Sequence, residues 1–390
     1  MKDVADCKIY IQISSNIRIS IAELLYFLAF LLYLSYSMIN TTMFNIFIPS
    51  RLGSLILLCS TIIIIYKILF IDKYSLKQLF AIGIFMIIII LAAFVSDYKN
   101  LIYMAFMVIG AKNIEFKKIV KFYMWVVISI TLLAMVASFL GVIEQIITYR
   151  NGKARYAFGS IYCTDFAAHI FYIVVSYCYL KKNDIKYIAI IICALLGWFI
   201  GKFSGARLDS ICIYAVCLYF TYLKIRKKKI ELRGLNKITR SVLIFSMPLC
   251  AFISIIGTSI YNPSNSIMFK INSLLSNRLK YGKLGIDSYG FKLLGQQVQM
   301  NGNGGTNSIV ENYFFIDSAY LYVALRYGII LLIMLCIYFI ALNNKMIKKR
   351  SIFIPISIAF IAINSIVAHH LTDLSYNIFL LCFFAKIDID

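Results

Sequence analysis

The sequence predicts an all-α integral membrane protein with about twelve transmembrane helices and one long extracytoplasmic loop. Three observations carry this. Hydrophobic residues are 62% of the 390, against about 45–50% in soluble domains. Mean hydropathy is +0.85. The charged residues, only 14% of the chain, are clustered and leave long uncharged stretches between them, which is the membrane pattern.

A bilayer core of roughly 30 Å needs about 20 residues of helix. Stretches of that kind lie near 20–40, 52–71, 78–96, 100–111, 119–143, 162–180, 187–202, 208–223, 241–260, 318–342, 352–368 and 374–386. The stretch at 100–111 is short, a crossing or a re-entrant segment; the last is short too. The chain thus divides into an N-terminal bundle (1–260, about nine spans), a large loop (261–317) and C-terminal helices (318–390, about three spans). The segment from Met1 to Ser20 lacks an uninterrupted apolar core before a cleavage site, so the first helix is expected to serve as the insertion signal.

Orientation follows from lysine and arginine. The basic runs are Lys117-Lys118 with Lys121, Lys181-Lys182 with Lys186, Lys224-Ile-Arg-Lys-Lys-Lys229 with Arg233, Lys237 and Arg240, and Lys345 with Lys348-Lys-Arg350. With twelve spans all four runs fall on one side, and both termini are expected in the cytoplasm. The net charge of +22 therefore points to anionic lipid and the positive-inside rule rather than to nucleic acid, which needs basic residues on a soluble face. The cysteines lie mostly in apolar stretches (Cys59, Cys193, Cys212, Cys217, Cys250, Cys336, Cys382), and no CxxC pair or Cys/His cluster exists, so neither disulfide framework nor zinc site is expected. No metal or cofactor fingerprint appears.

Three connections fall on the outer side: about 144–161, the turn Gly201 to Asp209, and the loop from Tyr261 to Asp317. Long loops are often functional. This one mixes Arg278, Lys280, Lys283 and Lys292 with Tyr281, Tyr289, Phe291, Tyr313, Phe314 and Phe315, and its stretch Asn301-Gly-Asn-Gly-Gly305 must be flexible or tightly turned. Ser273 to Lys280 reads as a short amphipathic helix on the membrane face. The aromatics suit either sugar rings or headgroup depth.

Outer loops should be poor in arginine, yet Arg150, Arg155, Arg207 and Arg278 all fall there. Arginine grips phosphate bidentately and keeps its charge, so these residues fit a phosphorylated substrate. The other reading is headgroup contact or a local ion pair, such as Arg207 with Asp209. Arg326 lies nine residues beyond Asp317, about 13 Å into its expected helix; a charge at that depth is functional by default, or pairs with a buried carboxylate or carbonyl. Three histidines are acid/base candidates: His169, His369 and His370. Asp165 and His169 stand at i and i+4, where their side chains can meet on one helix face. Asp317 and Glu311 flank the end of the loop, and Asp373 follows the histidine pair; each histidine and carboxylate also admits a purely structural role.

Four features together resemble the Wzy-type O-antigen and capsule repeat-unit polymerases, within the larger O-antigen polymerase/ligase family. They are a dozen helices with a long outer loop in the second half; the segment Asp317-Ser-Ala-Tyr-Leu-Tyr-Val-Ala-Leu-Arg-Tyr-Gly328, similar to an Asp-Asn-x-Tyr-Leu…Tyr-Gly element; the arginine turns Gly205-Ala-Arg-Leu-Asp209 and Asn277-Arg-Leu; and Phe158-Gly-Ser-Ile-Tyr162 before the sixth helix. The chain departs from the pattern at Ser318, where Asn is usual, and at Tyr289, where an Arg-x10-Gly pattern starting at Arg278 would have its glycine. The resemblance implies a GT-C-like membrane glycosyltransferase in a bacterial cytoplasmic membrane. It implies metal-independent, inverting polymerisation of undecaprenyl-pyrophosphate-linked oligosaccharide without a cofactor. Arg278, Arg207, His369 and Asp317 would be catalytic, and Arg150, Arg155, Arg326, Tyr320 and His169 substrate-binding. Membrane lipids, a chain-length regulator and a flippase of the same pathway would be its partners. A ligase shares the donor but not the acceptor. A flippase would show repeat symmetry and groups at the midplane, and no repeat is visible. A sensor or scaffold without chemistry is the remaining alternative.

Overall fold

The computed structural model describes residues 10–14, 17–150, 152–225, 236–308 and 310–387. Arg226 to Lys229, Arg233 and both chain ends lie outside the described residues. After a hairpin of β1 (Tyr10–Ser14) and β2 (Ile17–Ser20), the chain is mostly helical. Nine helices among the described residues are long and apolar enough to cross a membrane. They are α1 (Ile21–Ile39), α2 (Ser50–Phe70), α3 (Leu76–Val95), α5 (Phe116–Phe139), α6 (Cys163–Lys181), α7 (Tyr187–Phe199, continued by a π turn Ile200–Ser204), α8 (Arg207–Ile225), α9 (Lys237–Ser259) and α13 (Ile329–Lys348). Their outward faces carry large apolar side chains in the open, such as Phe80, Phe94, Leu133, Leu195 and Leu218, a surface that only lipid makes favourable. The chain is a multi-pass membrane protein.

Neighbouring helices alternate in direction, and their contacts define two ends. Lys118 of α5 meets Glu23 of α1 at 2.8 Å. Phe116 packs on Tyr179 of α6 with ring centroids 5.3 Å apart. Lys224 of α8 sits 4.7 Å over the ring of Tyr187, and Asn343 of α13 donates to the carbonyl of Leu243 in α9 at 2.8 Å. The described members of all four basic runs therefore share one end, here the basic end. The opposite, loop end carries residues 261–317.

The basic end holds a buried ion pair. Lys67 Nζ of α2 stands 2.7 Å from Asp72 Oδ2, both side chains closed to solvent, and also donates to the carbonyl of Lys112 at 3.0 Å. Removing one partner leaves the other buried and uncompensated. Lys67→Met is thus expected to destabilise by about 3–5 kcal/mol, and the double variant Lys67→Met/Asp72→Leu by much less; thermal unfolding in detergent reads the difference.

Three expected crossings are not helices of spanning length. The 100–111 stretch is α4 (Asn100–Gly110), 11 residues long. Near the C-terminus α14 (Phe353–Asn364) has 12, and the stretch expected as a helix over 374–386 is not one. After Asn364 the chain turns and runs to the basic end through short 3-10 turns at His370–Thr372 and Ile378–Phe383. There the Phe116 amide donates to the carbonyl of Lys386, and the Lys386 amide to that of Ile114, both at 2.8 Å. Irregular backbone survives in a membrane only when protein covers it. Here Tyr123 Oη donates to the carbonyls of Ser375 and Tyr376, Asn377 to that of Leu371, and Tyr376, Ile378, Phe379 and Leu381 are buried.

The long loop folds. It contains α10 (Ser266–Leu274) and α11 (Arg278–Tyr289). The amphipathic helix expected over 273–280 is split, because Ser276 and Asn277 both take positive φ, 56° and 66°. Asn272 fixes the corner: its carbonyl accepts the Asn277 amide, its Nδ2 donates to Asn277 Oδ1, and its Oδ1 accepts the Lys280 amide. The glycine-rich stretch is held tightly. Asn301 and Phe314 exchange backbone hydrogen bonds, and the Gly305 amide donates to the carbonyl of Ile161. Gly302 and Gly304 lie against the Tyr162 ring, where a Cβ would not fit.

Candidate functional site

The loop end gathers four arginines from four elements. Arg150 ends β3 (Ile147–Arg150) and Arg155 lies in β4 (Lys153–Tyr156), paired in one antiparallel hairpin. Arg207 opens α8 and Arg278 opens α11. Arg150 Nη1 and Arg207 Nη2 both donate to Ser276 Oγ, at 3.2 and 3.4 Å. Arg150 Nη2 donates to the carbonyl of Gly205, and Arg155 Nε to that of Ser204 at 3.0 Å. Gly205 is forced: its φ is 59°, and a Cβ would stand 2.8 Å from Arg155 Nε. The π turn before it aims these two carbonyls at the arginines, and π turns recur at functional positions.

The cluster is short of negative charge. Its members are satisfied by carbonyls and one hydroxyl, and among the described residues the ion pair they make is Arg278 Nε with Asp317 Oδ2 at 3.8 Å. Burial, then the nearby Arg155, Arg207 and Arg278, push the Arg150 guanidinium down to about 10. Like charges held this close favour a polyvalent anion. Arg207 does not pair with Asp209: Asp209 turns inward and accepts from Asn364 Nδ2 at 3.0 Å.

Arg278 is the best-anchored member. Its Nε donates to the carbonyl of Val367 at 2.6 Å and its Nη1 to that of Leu275 at 3.1 Å. The Val367 tie brings the loop onto the segment carrying the histidine pair. His369 lies against Phe315 and Tyr322, with centroids 5.0 and 5.6 Å away. From it a column of rings descends: His370 at 4.1 Å, Tyr376 at 3.9 Å from His370, and His169 at 4.1 Å from Tyr376.

No family model, curated protein or solved structure matches this chain.

The structure thus brings Arg150, Arg155, Arg207, Arg278, Asp317 and His369 together. It places other expected site residues elsewhere. Asp165 does not meet His169 but stands 3.7 Å from His370 Nε2, while His169 is fully buried and its Nε2 pairs with Thr41 Oγ1 at 2.9 Å. Tyr320 is also fully buried and donates to the carbonyl of Ala362 at 2.8 Å, a packing role. Glu311 is exposed, and its carbonyl accepts from Asn301 Nδ2. Arg326 is not 13 Å inside a helix. A short helix α12 (Ala319–Tyr322) and a π turn (Val323–Tyr327) end at Gly328, and the spanning helix starts after it. The Arg326 carbonyl accepts the loop amide of Gln296 at 3.0 Å, so the residue sits at loop level. In place of a carboxylate, it donates to Tyr322 Oη and lies 4.6, 5.4 and 5.8 Å over the rings of Tyr98, Tyr322 and Tyr327, a cation–π cage.

Ser276 and Asn364 are the site residues that sequence reasoning does not single out. Asn364, a carboxamide ending an otherwise apolar helix, carries a readable signal; a serine in a polar loop carries none.

Proposed function

We propose that the protein polymerises lipid-linked oligosaccharide repeat units on the outer face of a bacterial cytoplasmic membrane. The observation that carries this is the convergence of Arg150 and Arg207 on Ser276 beside Arg278. Such a fork of guanidinium groups suits a pyrophosphate, and it lies where the resemblance to the Wzy-type polymerases puts the donor. In this reading the molecule is GT-C-like with twelve crossings, counting α4, α14 and the irregular return of residues 365–387, and the basic end faces the cytoplasm.

The reaction is an inverting displacement. The acceptor's sugar hydroxyl attacks the anomeric carbon of the undecaprenyl-pyrophosphate glycan; the bond from that carbon to the pyrophosphate oxygen breaks, and the pyrophosphate keeps the electron pair. The arginines stabilise the charge developing there. The hydroxyl's proton goes to Asp317, adjacent to Arg278, while His369 orients the hydroxyl. Tyr281, Tyr313 and Phe315 of the long loop offer flat faces to sugar rings.

Deleting the gene and sizing surface and lipid-linked glycans tests this. Single repeat units on the outer leaflet, with long chains restored by the wild-type gene, are the expected result. Full-length glycan stranded on the lipid carrier would make the protein a ligase. Repeat units trapped on the cytoplasmic leaflet would make it a flippase. Unchanged glycans would leave it outside this pathway.

A further inference from the structure

We infer that α10 is a membrane-surface anchor, lying in a lipid interface rich in anionic headgroups and holding the arginine corner at phosphate depth. The helix is short and almost entirely open. One face, Met268 with Asn272, turns toward the protein, and Asn272 is 2% exposed. Roughly 100° away round the helix, Ile267, Ile271 and Leu274 form a stripe at i, i+4 and i+7 that is 67%, 44% and 69% exposed. The polar residues Ser266, Lys270 and Ser273 lie beyond the stripe, with Phe269, 57% exposed, beside Ser273 on the side opposite it. Three aligned aliphatic side chains in water would be unfavourable; a helix with an apolar stripe, a polar face and a flanking lysine is the form that lies in a membrane interface.

Two observations choose anionic lipid over another protein. First, charge: residues 261–300 contain Lys270, Arg278, Lys280, Lys283 and Lys292 against a single acid, Asp287, and Asp287 is taken by Lys283 at 3.0 Å. Lys270, Lys280 and Lys292 are exposed, with stems long enough to leave the apolar stripe immersed while the ammonium groups reach headgroups. Second, continuity: α10 follows α9 closely in the chain, and the α9 side chains Phe252, Ile253 and Ile256 are exposed on its outward face, as are Leu284, Phe291 and Leu293 in the segment after α10. The corner Ser276-Asn277-Arg278 comes immediately after the anchor, so immersion of α10 fixes the depth of the arginines. This inference does not depend on the proposed chemistry.

The chain has two tryptophans, Trp125 and Trp198, which phenylalanine can replace. On that background Ile271→Trp, Leu274→Trp and, as the polar-face control, Ser273→Trp are reconstituted in vesicles of phosphatidylcholine and phosphatidylglycerol brominated high on the acyl chain. Emission at 271 and 274 is expected to fall at least about twofold more than at 273, and Lys270→Glu with Lys292→Glu to weaken that quenching only in vesicles that contain phosphatidylglycerol. Equal quenching at the three positions overturns the anchor. Emission from 271 and 274 that is blue-shifted, unquenched and dependent on protein density would assign the stripe to a second copy and overturn it too. An effect of the lysine changes that is the same with and without phosphatidylglycerol would remove the anionic part. All three tryptophans replace exposed residues, so the folded protein remains available for the comparison.

Discussion

On the proposed polymerase reading, replacing Arg278 by alanine is expected to cut repeat-unit polymerisation by at least about a hundredfold, which corresponds to roughly 3 kcal/mol of lost transition-state stabilisation. Two of the guanidinium's nitrogens, Nε and Nη1, are engaged by the carbonyls of Val367 and Leu275. They lock its orientation before any ligand arrives and leave Nη2 for an incoming phosphate oxygen. Preorganisation of this kind is what makes a donor effective. Arg278→Lys keeps the charge but loses the fork, so it should fall between wild type and alanine. Arg207, exposed and held by one bond to Ser276, should cost less when removed, and Ser276→Ala less again, since it disturbs Arg150 and Arg207 without removing a charge. The measurement is glycan length in a deletion host carrying each variant, with protein level and melting temperature checked alongside. Wild-type chain length from Arg278→Ala would remove the arginine cluster from the reaction.

Much of this arrangement was legible in the sequence because the membrane simplifies the problem. Nine of the long apolar stretches are helices of spanning length, since a backbone in lipid must satisfy its own hydrogen bonds. The loop-end arginines were legible for a related reason: the positive-inside rule leaves a background against which Arg150, Arg155, Arg207 and Arg278 stand out. The residues that sequence misplaced are those whose position depends on tertiary contact. The chain from 374 to 386 is apolar enough for a helix, but Tyr123 satisfies two of its carbonyls from the side, and hydropathy does not register such a partner. Asp165 and His169 have the right spacing to meet, yet the ring stack on Tyr376 and the bond to Thr41 draw the histidine elsewhere. Arg326 was placed too deep because a break at a single glycine changes the start of the helix without altering its composition.

That break supports the second large effect. Gly328→Ala and Gly295→Ala are each expected to destabilise the docked loop by about 2–4 kcal/mol, adding the strain of a left-handed backbone to overpacking. The two glycines face each other across one seam. The amides of Ile329 and Ile330 donate to the carbonyls of Lys292 and Leu293 at 3.1 and 3.2 Å, and the Gln296 amide to that of Arg326 at 3.0 Å. Gly328 has φ 100°, and a Cβ there would fall on the Leu293 carbonyl and 2.5 Å from the Gly295 nitrogen; Gly295 has φ 88°, and its Cβ would fall on the carbonyl of Arg326. The obstacles are backbone atoms, so no side chain can swing away to make room. Because both substitutions open one seam, the double variant should cost clearly less than the sum of the singles. Gly83→Ala in α3 is the control, with nothing within 4 Å of the new methyl, and should be neutral or stabilising by about 0.5–1 kcal/mol. Limited proteolysis of the purified protein reads the seam directly: faster cutting between Gly290 and Asn301 in the two seam variants, and unchanged cutting in the control. Equal cutting in all three would mean that the loop is held by its contacts at Tyr162 and Ile161 alone. Since the seam also carries the backbone of Arg326 and Tyr327, its opening should lower polymerisation even with the four arginines untouched.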